Sequence, residues 1–149
     1  MAAFLGLDYG KRRIGIAAGD DRQFLAFALT THTEGRDGPV FDFLTRIIDE
    51  RGITTVVVGL PLTADGREGE MAQAARRFAG LARDRLEVEV LLWDERYSSA
   101  EADRWLEARK QVSKGDRDAL AAAIILQSYL DSLRSAALDQ GAGPEEGQP

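Results

Sequence analysis

Phe4-Leu5-Gly6-Leu7-Asp8-Tyr9-Gly10-Lys11-Arg12-Arg13-Ile14-Gly15-Ile16-Ala17-Ala18 is the stretch on which the fold turns. Two apolar runs flank a polar, glycine-containing, basic segment, the pattern of two antiparallel strands joined by a turn. Asp8 closes the first run. A carboxylate there is either a turn residue bonding nearby amides or one arm of a site at a strand end. Lys11, Arg12 and Arg13 are likewise either a solvated hairpin tip or contacts for phosphate.

Outward from the hairpin, residues 23–31 read as a third strand, and the polar stretch 34–38 breaks it. From Pro39 onward Val40, Phe43, Leu44, Ile47 and Ile48 recur at helical spacing, with Pro39 suited to a first turn and Gly52 to a stop. Residues 53–60 are β-branched and nearly continuously apolar, which predicts a central parallel strand covered on both faces. A turn-rich loop over 61–69 precedes a second helix carrying Met71, Ala74, Ala75, Phe78, Leu81 and Ala82, and residues 86–93 alternate as a fifth strand. Ser98 with Glu101 forms a capping-box pattern that opens a further helix, followed by a basic connector over 109–117. Asp118 then opens the last and most apolar helix. The Gly-, Pro- and Glu-rich stretch 139–149 is expected to be a disordered acidic tail on a domain spanning 1–138.

With 149 residues, 44% of them hydrophobic, the chain can bury one good core, so a single domain is expected. The absence of cysteine excludes disulfides, thiolate metal sites and cysteine nucleophiles, and fits a reducing compartment. The single histidine, His32, excludes Ser/His/Asp and histidine-based metal arrangements, and its polar surroundings read as surface. There is no secretory segment and no apolar stretch of about 18 residues, so the expectation is a soluble cytoplasmic protein with no membrane partner. A formal charge of −6 argues against loose, charge-driven binding of nucleic acid. Its distribution argues otherwise. Asp139, Glu145 and Glu146 belong to the tail, while basic residues gather at Lys11–Arg13 and at Arg104, Arg109, Lys110, Lys114 and Arg117, near the candidate carboxylates.

An antiparallel meander followed by helix-linked strands makes an α/β fold, a mixed five-stranded sheet flanked by helices, which matches the ribonuclease H-like topology. In that topology the first strand is central, and Asp8, Glu95 and Asp118 all stand at element ends where they can converge. Hydrolysis of a phosphodiester places negative charge on attacking and leaving oxygens, and two divalent cations about 4 Å apart stabilise both. Such hard cations take carboxylate oxygens, and without them clustered acids repel one another. Each acid also has a plainer reading. Asp94 and Glu95 could be a polar strand end with Arg96 as surface partner, and Asp118 a first-turn residue favoured by the helix dipole. The 59–69 loop with Arg67 is either a phosphate cradle or a connector, and Trp93 and Tyr97 either stack on bases or pack.

Four motifs occur in order: Gly6-Leu7-Asp8-Tyr9-Gly10 with Arg13-Ile14-Gly15; Val58-Gly59-Leu60-Pro61-Leu62 with Asp65-Gly66 and Gly69; Trp93-Asp94-Glu95-Arg96-Tyr97-Ser98; and Asp118-Ala119-Leu120-Ala121-Ala122 with Ile125-Leu126. On these the chain resembles the YqgF/RuvX family of ribonuclease H-like proteins, described as Holliday junction resolvases or pre-16S ribosomal RNA nucleases. The resemblance implies a nuclease using Mg2+ or Mn2+, with Asp8, Glu95 and Asp118 as its catalytic and metal-binding set. Lys11, Arg12, Arg13, Arg67 and Arg96 are the candidates for binding substrate, which is pre-rRNA or branched or single-stranded DNA. Processing of the pre-16S rRNA 5′ end leads, and Holliday junction resolution, which would require a homodimer, is the runner-up. One departure stands out: many ribonuclease H-like enzymes end the fourth strand with an acid, whereas Gly59 and Leu60 stand there, so Glu95 must reach in from the next strand. Two rivals differ in class. The first hairpin is similar to the phosphate-binding hairpin of actin-like sugar kinases and ATPases, which need two such domains, and a non-catalytic nucleic-acid-binding module would keep the fold without turnover.

Overall fold

The computed structural model describes residues 1–97 and 114–146, with side chains over 1–96 and 116–139. The elements are β1 (Ala3–Asp8), β2 (Arg13–Asp20), β3 (Ala26–Thr33), α1 (Val40–Arg51), β4 (Thr55–Leu60), α2 (Glu70–Arg85), β5 (Glu89–Asp94), a 3-10 turn (Glu95–Tyr97) and α3 (Lys114–Glu146). The five strands form one sheet in the order β3-β2-β1-β4-β5. β1 is central, antiparallel to β2 and parallel to β4, and β4 runs parallel to β5. This is the mixed sheet expected from the order of elements, with β4 buried along its whole length. Gly52 ends α1 in the left-handed conformation at φ 64°, donating its N–H to the Ile48 carbonyl, as a glycine stop should.

Side chains alternate across the strands with period two, and the two faces differ in content. Leu5, Leu7, Ile14, Ile16, Val56, Val58 and Val90 pack on one face against Leu44 and Ile48 of α1 and Ala75, Phe78 and Ala82 of α2. Phe4, Ala17 and Val57 point to the other face, where Ala122, Ala123, Leu126 and Leu130 of α3 cover them. Gly6, Asp8, Arg13, Gly15 and Gly59 share the parity of this second set. A Cβ at Gly6 would lie 2.7 Å from Leu126 Cβ, and one at Gly15 only 1.8 Å from the Asp118 carbonyl oxygen. α3 therefore rests its backbone on the strands, which strand glycines permit.

Four expectations are corrected or bounded. β3 starts at Ala26, not at Gln23, because Asp20 Oδ1 accepts from the backbone N–H groups of Arg22 and Gln23 and closes a turn that includes Phe24 at φ 56°. His32 is not a surface residue. It lies buried in β3, its Nε2 2.7 Å from the Gly38 carbonyl and its ring edge-on to Phe43 at 5.0 Å. α3 runs from Lys114 to Glu146, so Asp118, expected to open the last helix, is its fifth residue and the basic stretch 114–117 belongs to the helix. The helix expected from Ser98, and the connector up to residue 113, lie outside the described residues. Among the described residues no helix is long and apolar enough to cross a membrane.

Candidate active site

Asp8 ends the central strand on the α3 face, opposite Gly15 of β2. The parallel register that pairs Leu7 with Val58 carries Asp8 alongside Gly59 on its other flank. Asp8 thus stands between two strand residues without side chains, and each vacancy is used by another acid. Gly15 lies under the Asp118 backbone, which sets the second turn of α3 next to Asp8. At Gly59 a Cβ would lie 3.0 Å from Glu95 Oε1 and 3.2 Å from its Cδ. Glu95, the first residue beyond β5, therefore folds back over β4. The missing acid at the end of β4 is what makes room for it.

The electrostatics follow from this convergence. Burial pushes the Asp8 carboxyl up to about 6, and the neighbouring charge of Asp118 adds to the effect. Burial likewise pushes Glu95 up to about 7, with smaller contributions from Asp8 and then Asp94. Asp94 itself is taken. Arg96 grips it through Nε at 3.1 and 3.0 Å and Nη2 at 2.7 Å, with its backbone N–H adding a bond of 2.8 Å, and holds its carboxyl below the usual range. Of the two adjacent acids, Glu95 is the one turned toward Asp8. Asp118 is paired from below by Arg13, whose Nε donates to Oδ2 at 2.6 Å. Among the described residues no three acids or histidines are grouped tightly enough to hold one ion as they stand. Asp8 joins two electrostatic pairs, one with Glu95 and one with Asp118. All three supply oxygen, and two carry charge that their surroundings disfavour, a donor set that a hard divalent cation would relieve.

A cleft of about 410 Å³ opens beside Asp8 and Asp118, lined also by Tyr9, Gly10, Lys11, Arg12, Arg13 and Met71. Lys11 makes a long exposed pair with Glu70 at 3.4 Å, and the Arg12 side chain has no partner among the described residues. These three basic residues are gathered at the acids. Arg67 and Arg96 are not in this lining. Arg67 pairs with Asp65 at 2.8 Å on the exposed loop, and Arg96 ties that loop to the end of β5 through the Ala64 carbonyl at 3.4 Å. The loop closes on itself, Thr63 N–H donating to the Arg67 carbonyl and Gly66 N–H to that of Thr63, so its glycines serve a turn. Trp93 packs, its Nε1 donating to Ser128 Oγ at 3.0 Å and its ring edge-on to Tyr129. The side chain of Tyr97 lies outside those described. Met71 of the wall was not legible as a site residue, and Tyr9, Gly15 and Gly59 stood out as motif positions without their spacing role. The one available signal was glycine inside otherwise apolar strands.

Comparison with known proteins agrees in extent with these motifs. The profile of the RuvX family, described as Holliday junction resolvase, matches residues 2–132. A protein of Geobacillus thermodenitrificans named "Putative pre-16S rRNA nuclease" is 44% identical over 135 residues, covering 87% of this chain and 98% of its own. Proteins of the same name from Synechocystis and Chlamydia muridarum are 38% and 42% identical, covering 89% and 87% of this chain and 90% and 92% of their own. Among solved structures, Thermus thermophilus RuvC in complex with Holliday junction substrate superposes with a TM-score of 0.57 at 15% identity, covering 89% of this chain and 96% of that one. At that identity the likeness shows the fold, which is ribonuclease H-like.

Proposed function

The chain belongs to the RuvX family, and we propose that it is a divalent-metal-dependent nuclease, a hydrolase of phosphodiester bonds, acting in the cytoplasm on the 5′ end of pre-16S rRNA. The observation that carries this reading is the placement of Asp8 between Glu95 and Asp118 at the mouth of a cleft walled by Lys11, Arg12 and Arg13. A structural ion-pair network would match acids with bases. Among the described residues, the charged groups acting on Asp8 and Glu95 are acids, an arrangement without structural benefit.

Asp8, Glu95 and Asp118 are the residues that would hold Mg2+ or Mn2+, and the ions would supply stabilisation of the charge that develops on the attacking and leaving oxygens. The remaining work falls to the basic wall. Lys11 and Arg12 draw the backbone into the cleft as charges, and an arginine fork can bind two oxygens of one phosphate and so orient it. Arg96 acts indirectly by fixing Asp94, which leaves Glu95 facing Asp8.

The relatives' names favour RNA, whereas the family description favours a four-way DNA junction, whose symmetric cleavage would call for a homodimer. Labelled single-stranded RNA, single-stranded DNA and a four-way junction, each incubated with Mn2+, Mg2+ or EDTA, separate the two. Cutting of RNA that needs metal and disappears in Asp8→Asn is the expected result. Preference for the junction would move the role to DNA. Binding without cutting would support a non-catalytic module, and nucleotide binding the actin-like alternative.

A further inference from the structure

Arg13 and Asp118 stand 105 positions apart in the chain, and their bond is the direct link between the basic wall and the acids. Only Nε of the guanidinium is engaged, and its two terminal nitrogens have no partner among the described residues. The pair is half-open to solvent, with side chains 40% and 26% exposed, and both members line the cleft. The two partners differ in freedom. Asp118 is held in place because its main chain rests on Gly15, whereas Arg13 ends a long, flexible side chain.

We propose that Arg13 couples the binding of a nucleic-acid phosphodiester to the binding of the divalent ion by exchanging partners. Without nucleic acid it occupies the Asp118 carboxylate, and a backbone phosphate in the cleft draws it away. This deepens the nuclease reading and rests on it. A guanidinium and a metal cation compete for one carboxylate, since each repels the other and each needs the same negative charge. A phosphodiester offers the guanidinium two oxygens in fork geometry, which a single Nε bond to Asp118 does not. Linkage makes the effect reciprocal: phosphate tightens metal, and metal tightens phosphate. Arg13 is thus a positioning residue for Asp118. An ion bound where no substrate lies would be disfavoured.

The test is calorimetric titration of Mn2+ into the full chain as wild type, Arg13→Gln and Arg12→Gln, with and without dimethyl phosphate, the smallest phosphodiester. Arg12→Gln removes the same charge from the same cleft but no bond to Asp118. Without dimethyl phosphate, Arg13→Gln should bind Mn2+ about tenfold more tightly than wild type, the size of a partly desolvated ion pair, and Arg12→Gln within about twofold of it. Dimethyl phosphate should tighten Mn2+ in wild type and leave Arg13→Gln unchanged. Equal affinities in wild type and Arg13→Gln, or equal responses of the two variants, would overturn the coupling while leaving the metal site standing. No Mn2+ binding by any of the three would remove the metal site and the nuclease reading with it. Should Arg13→Gln melt early, Arg13→Met keeps the aliphatic stem but removes both the charge and the donor, and an Mn2+ affinity no higher than wild type would count against the exchange.

Discussion

On one face of the sheet Leu5, Leu7, Ile14, Ile16, Val56 and Val58 meet α1 and α2 through large side chains. On the other, Gly6, Gly15 and Gly59 bring α3 and Glu95 within a methyl group of the strands. The first arrangement stabilises by area removed from water and tolerates changes of shape if volume is kept. The second holds distances. An added methyl there displaces Asp118 or Glu95 before it affects much buried area. The three candidate acids gather on the glycine face, while the cleft wall also takes Tyr9 and Met71 from the α2 side, so the two-residue period of the strands separates the acids from the large-side-chain core.

Gly15→Ala should produce the largest effect, because its Cβ would fall 1.8 Å from the Asp118 carbonyl oxygen, a backbone atom of a packed helix. A loss above about 3 kcal/mol in urea unfolding, together with loss of cleavage, is expected. A stable, active variant would break the contrast between the faces. Leu44→Ala, fully buried on the other face, should cost about 2–5 kcal/mol yet leave metal-dependent cleavage intact below its melting temperature.

The acids predict a smaller effect of opposite sign. Burial raises Asp8 to about 6 and Glu95 to about 7, so the folded state binds protons more tightly than the unfolded chain. Their contribution to metal-free stability is then fullest below the ordinary carboxylate range and is lost as pH rises through 6 and 7. Asp8→Asn should remove its share and stabilise the metal-free protein at pH 8 by roughly 1–3 kcal/mol. Urea midpoints at pH 5 and pH 8 in EDTA check this, and a midpoint lowered by Asp8→Asn would contradict it. Least of all, removal of residues 139–149 should change stability by less than about 0.5 kcal/mol, since Leu138 is already exposed where that segment begins.

Much of this organisation was legible in the chain. The hairpin around Asp8, the continuous apolar β4 and the helix between Pro39 and Gly52 announce themselves through period and punctuation, and the ribonuclease H-like order follows from their sequence. Asp8 and Glu95 were legible as element ends, whereas Asp118, read as the opening of the last helix, stands one turn inside α3, which begins at Lys114. Their partners were not. Arg13 reads as one of three equivalent basic residues until α3 brings Asp118 to it from a distant part of the chain. Gly59 reads as a missing acid, and only the fold shows that its vacancy admits Glu95. His32 misled because its sequence neighbours are polar, while its ring packs on Phe43 from α1. Local pattern specifies elements, but long-range contact decides which side chains share a site.

Carboxyl-carbon NMR titration of Glu95 in the metal-free protein, in Asp8→Asn and with saturating Mg2+ addresses the convergence itself. Glu95 should titrate near 7 in the metal-free wild type, lower in Asp8→Asn, and well below both when Mg2+ is bound. A midpoint in the ordinary glutamate range, unmoved by either the substitution or the metal, would show that Glu95 and Asp8 do not share a site.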